Sequence, residues 1–72
     1  MNELQLKIQD LEYTVAELKK ELRRIKSTVN KLEKLGLSIP SEIIYKKENI
    51  EVELKEYKQE LKALKKVAEI LK

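Results

Sequence analysis

Apolar side chains recur in alternating steps of four and three along almost the whole chain, a spacing that suits little other than α-helices wound side by side. From the amino end the rungs are Leu4, Ile8, Leu11, Val15, Leu18, Leu22, Ile25, Val29 and Leu32. The ladder then stops. It resumes at Ile43 and continues through Lys47, Ile50, Leu54, Tyr57, Leu61, Leu64, Ala68 and Leu71, with Lys47 as its one polar rung. The gap holds the only glycine and the only proline, Gly36 and Pro40. The pattern predicts an all-α fold, a two-helix antiparallel coiled-coil hairpin forming a single domain over residues 1–72. One helix is expected over about 2–35, a turn over 36–40 and a second helix over about 41–72.

Local chemistry supports those boundaries. Gly36 can take the left-handed backbone that closes a helix, which lets Leu37 fold back onto Leu32. Beyond it, Ser38 and Ser41 are candidate N-caps, Pro40 suits a first turn, and Glu42 suits the positive end of a helix.

Charge decides how the helices lie. Residues 1–18 carry Lys7 against Glu3, Asp10, Glu12 and Glu17, whereas residues 19–35 carry seven bases against Glu21 and Glu33. The second helix repeats this order, acidic over 41–56 and basic over 57–72. Folding back at the turn sets each acidic block beside a basic one, while a parallel pairing of first helices would set basic beside basic. The finer register stays open between two alternatives. Folding about Ser38 brings Ile25 near Ile50, Leu11 near Leu64 and Lys19 near Lys58; a half-heptad slip instead pairs Lys19 with Glu51 and Glu12 with Lys58.

A hairpin of this size buries one stripe per helix, and its core is thin. Burial at about 25 cal/mol per Å² and ordering entropy of about 1.5 kcal/mol per residue nearly cancel in so small a chain. With no Cys and no His to supply a disulfide or a zinc staple, self-association is the natural remedy. Apolar residues outside the ladder mark where it would occur. Leu6, Tyr13, Ala63, Val67 and Ile70 widen the stripe at the open end, and Leu35, Leu37, Ile39, Ile44 and Tyr45 widen it at the turn end. We therefore expect dimerisation into a four-helix bundle, with Leu6, Tyr13, Ile44, Tyr45, Ala63, Val67 and Ile70 as the self-association set. In outline this is similar to the small helical hairpins of the Rop-type plasmid copy-number regulators, a likeness of architecture alone that carries over no residue.

Other functions are weaker on the same sequence. The most basic stretch, Lys19 to Lys26, splits on a helix into two stripes. Lys19, Arg23 and Lys26 lie beside the core, where Glu48, Glu51 and Glu56 of the returning helix can offset them. Lys20, Arg24, Lys31 and Lys34 point outward and are the residues that would meet phosphates in a nucleic-acid-associated accessory or regulatory protein. No aromatic residue interleaves them for base stacking. Lys47 is a core-side lysine with its ammonium turned to water, or else a polar layer that fixes register. Catalysis lacks its usual parts: there is no His, no Cys and no glycine-rich phosphate loop. Glu48, Glu51 and Glu53 spread over different helix faces, so no catalytic, metal or cofactor-binding residues are assigned.

The expected partner is a second copy, with a helical segment of another protein or a nucleic acid as alternatives and no membrane partner. No apolar run reaches the ~20 residues that span a bilayer, and the amino end lacks a secretory pattern, so a soluble cytoplasmic protein is expected. A composition rich in Lys, Glu and Ile without Trp, Phe or Cys leans toward a thermophilic or AT-rich source.

Overall fold

The computed structural model describes residues 2–72. It contains two helices, α1 (Glu3–Lys34) and α2 (Ser41–Ile70), packed against each other as a hairpin of 54 × 16 × 15 Å.

Each end of α1 is closed by its own sequence. Asn2 is the N-cap, and its side-chain oxygen accepts from the Gln5 N–H at 2.8 Å. At the other end the Gly36 N–H donates to the Glu33 carbonyl at 3.0 Å and the Leu37 N–H donates to the Leu32 carbonyl at 2.9 Å. These two bonds form a Schellman motif, which needs a left-handed residue, and Gly36 supplies it with φ +71°. A Cβ at Gly36 would meet nothing within 4 Å, so the restriction there is backbone strain alone. Gly36→Ala is expected to cost about 1 kcal/mol. A thermal melt should show this as a drop of about 4–8 °C.

The start of α2 corrects one expectation. Neither Ser38 nor Ser41 caps the helix: the N-cap is Pro40, without a side-chain cap bond. Its carbonyl accepts from the N–H groups of Ile43 at 3.1 Å and Ile44 at 3.4 Å, and Ser41 is already the first helical residue. Proline's fixed φ, here −57°, sets the chain ready to enter the helix without a hydroxyl.

Burial follows the ladder closely. Every rung is buried or half-buried except Leu71, which is 71% exposed beyond the last turn of α2. Leu11, Val15, Ile25, Ile50 and Leu54 are the buried residues, and Leu18, Leu22, Val29, Ile43 and Tyr57 pack around the central four. Lys47 keeps its inward place with a side chain 37% exposed, and its Nζ lies 3.9 Å from Glu51 Oε1 one turn on.

Among the described residues three ion pairs cross the seam and mark the register. Lys7 Nζ lies 3.7 Å from Glu60, Lys46 Nζ lies 3.1 Å from Glu21, and Lys65 Nζ lies 3.8 Å from Glu12. In the first two pairs both partners immediately precede a rung; in the third both immediately follow one. Only one alignment of the two ladders satisfies all three, with Leu22 opposite Ile50, Leu18 opposite Leu54, Val15 opposite Tyr57 and Ile25 opposite Lys47.

This register lies between the two alternatives left open by the sequence. Glu12 pairs with Lys65 rather than Lys58, and Lys19 has no ion pair with Glu51 within 4 Å. The reason is the closing geometry of α1. The helix runs about one turn past the start of α2 before Gly36 ends it, so the fold-back is centred nearer residue 36 than Ser38.

Candidate functional site

Any residue just before a rung and the residue just after it lie about 100° to either side of that rung on a helix, so they face opposite sides of the hairpin. In an antiparallel pair the preceding residues of both helices share one side, as the Lys7–Glu60 and Glu21–Lys46 pairs show. We call this the leading flank. Following residues form the trailing flank, marked by Glu12–Lys65. A third line, farthest from the seam, carries Leu6, Tyr13, Lys20, Ser27 and Lys34 on α1 and Tyr45, Val52, Gln59 and Lys66 on α2.

The apolar residues expected to mediate self-association are all exposed, but they do not share one face. Leu6, Tyr13 and Tyr45 lie on the outermost lines, where the two tyrosines are 69% and 65% exposed. Ala63, Val67 and Ile70 lie on the leading flank at the open end, and Ile44 lies on the trailing flank near the turn. Twenty-six helical residues, about 39 Å, separate Ile44 from Ile70, so a single small patch cannot hold them all.

The expected phosphate-binding residues are likewise divided. Lys20 and Lys34 are on the outermost line, while Arg24 and Lys31 are on the leading flank. Lys20, Arg24 and Lys31 still line one shallow groove with Arg23, Ser27 and Thr28, where the Thr28 hydroxyl donates to the Arg24 carbonyl at 3.1 Å. Lys34 is not part of that groove.

The inner stripe behaves differently from expectation. Lys19, Arg23 and Lys26 do follow the rungs, but Glu56 precedes one and so sits on the opposite flank from them. Among the described residues none of the three cations makes an ion pair within 4 Å, and Glu51 is paired with Lys47 instead. By the same register Lys19 and Lys58 occupy facing positions on the trailing flank, like charges set across the seam.

A larger groove opens on the leading flank where Thr14 and Thr28 are too short to cover the core. Leu18, Ile25 and Ile43 are reached from solvent there, beside Tyr13 and Arg24. Among the described residues no three His, Cys, Asp or Glu side chains converge as metal ligands, and no helix is long and apolar enough to cross a membrane.

The flank pattern has its signal in the sequence at a level that single residues do not show. Acid-rung-base triplets recur in the middle of both helices: Glu17-Leu18-Lys19, Glu21-Leu22-Arg23, Glu53-Leu54-Lys55, Glu56-Tyr57-Lys58 and Glu60-Leu61-Lys62. Each triplet sends its acid to the leading flank and its base to the trailing flank. Compared with protein-family models, with curated proteins and with solved structures, the chain matches none.

Proposed function

We propose that this protein is a non-enzymatic, homo-oligomeric assembly protein, a helical hairpin that works by associating with copies of itself. One observation carries the reading. Among the described residues the core comprises five buried ones, none of them below 2% exposure, while ten large apolar side chains are exposed. For a chain of 72 residues that balance leaves stability wanting, and covering apolar surface at a second copy is the direct means of supplying it. Two hairpins side by side make a four-helix arrangement, the smallest unit of this kind.

Sedimentation of the purified chain across the micromolar range tests the reading. A mass above the 8.5 kDa chain that falls on dilution is the expected result. An 8.5 kDa species at every concentration and salt would overturn it.

The groove lined by Lys20, Arg24 and Lys31 supports a second reading, a phosphate-contacting accessory protein of nucleic acids. Binding to a duplex would then weaken steeply with salt, and changing Lys20, Arg24, Lys31 and Lys34 to Glu would remove it. Salt-independent binding, or none, excludes that reading.

A further inference from the structure

We infer that the acidic leading flank of one hairpin stacks on the basic trailing flank of a second copy, in parallel and in register. This rests on the self-association reading above and makes the meeting surfaces mainly charged. Of the exposed apolar residues it brings in Val67 and Ile70 on the leading flank and Ile44 on the trailing flank, and leaves Leu6, Tyr13, Tyr45 and Val52 on the outermost lines. The leading flank carries eight acids against four bases, and the trailing flank eight bases against five acids. Like flanks would therefore repel, whereas unlike flanks attract.

The match extends to position along the rod. Displacing a copy sideways by a helix spacing of about 8–10 Å sets α1 over α1 and α2 over α2. Because acid and base of each triplet are two residues apart, they lie within about 3 Å of the same height on opposite flanks. Glu53, Glu56 and Glu60 of one copy then meet Lys55, Lys58 and Lys62 of the next. Glu17 and Glu21 meet Lys19 and Arg23 in the same way.

The five cations of these triplets make no ion pair within 4 Å among the described residues, and neither do Glu17, Glu53 and Glu56. The second copy supplies those partners. By the same rule Thr14 and Thr28 face Ala16 and Asn30 of the second copy, and between them the aliphatic stems of its Lys19 and Arg23 cover the groove that reaches Leu18 and Ile25. Such an interface joins different surfaces on the two copies, so it does not close on itself at two, and larger stacks form as concentration rises.

Two double variants test this. Glu53→Lys with Glu56→Lys takes the leading flank to six acids against six bases, and Lys58→Glu with Lys62→Glu takes the trailing flank to six bases against seven acids, so each variant loses the charge of one flank. Lys58→Glu also replaces the like charge that faces Lys19, so the hairpin should persist, as circular dichroism of each variant will check. At low salt, where charges act beyond about 10 Å, each double variant alone should associate about tenfold more weakly than the parent and sediment near 8.5 kDa. An equimolar mixture should recover association, because the flank each variant keeps intact is complementary to the one kept by the other.

If the parent associates but either variant alone keeps its mass distribution, the flank assignment is wrong while self-association stands. A mixture that stays monomeric overturns the assignment as well. A parent monomeric at every salt concentration overturns both.

Discussion

Leu54→Asp is expected to abolish the hairpin, with loss of most far-UV helical signal at room temperature. Leu54 is 5% exposed, sits opposite Leu18 and belongs to the central cluster with Val15, Ile25 and Ile50. Truncating a buried leucine costs about 2–5 kcal/mol, and placing an unpaired carboxylate there adds a desolvation cost. The total is comparable with the whole stability available to a chain of this size, about 4–11 kcal/mol at common per-residue values. Lys20→Asp is the matched control on the outermost line of α1, where a surface change stays within about 0.5 kcal/mol. Equal melting of the two variants would show that the assigned inward face is wrong.

Lys47→Leu should act in the opposite direction, raising stability by about 1 kcal/mol. A chain of this length should then melt about 4–8 °C higher. Lys47 occupies a core rung opposite Ile25, yet its ammonium must reach water and finds only Glu51 Oε1 at 3.9 Å. That exposed pair contributes about 0.3–0.5 kcal/mol, less than the apolar area a leucine would bury against Ile25 and its neighbours. A lysine whose stem covers the core predicts higher stability with unchanged sedimentation. If Lys47 instead set the register, its replacement would change the sedimenting mass or broaden its distribution, as loss of a polar core layer does in coiled coils.

The charged flanks give these two experiments a common background. Core substitutions address the hairpin itself, because they touch the seam between α1 and α2. Reversals at Glu53, Glu56, Lys58 and Lys62 address contacts between copies, because those side chains are exposed and lie to either side of the seam. A salt series separates the two levels. Contacts between exposed charges weaken as salt rises, whereas burial of Leu54 and Ile50 does not.

Much of this architecture was determined by residues near one another in the chain. The alternating steps of three and four dictate helices, and their inward faces follow from helical geometry alone, which is why each rung from Leu4 to Ala68 proves buried or half-buried. The close of α1 is equally local. Gly36 alone can adopt φ +71° without a Cβ penalty, and its own N–H and that of Leu37 then complete the two bonds to the Glu33 and Leu32 carbonyls. Asn2 and Gln5 form the opening cap within four residues.

What only the tertiary structure decided was how one ladder slides along the other. A repeating apolar pattern matches itself at every slip of about half a heptad, so its own energy discriminates poorly between registers. The register found is one that the segment Leu35–Pro40 can span and in which charges on different helices meet, Lys7 with Glu60, Glu12 with Lys65 and Glu21 with Lys46. That alignment placed Lys19 against Lys58 and Glu56 away from Lys19, Arg23 and Lys26. It also aligned the acids of one flank at the same heights as the bases of the other, a relation between distant residues that no single helix defines.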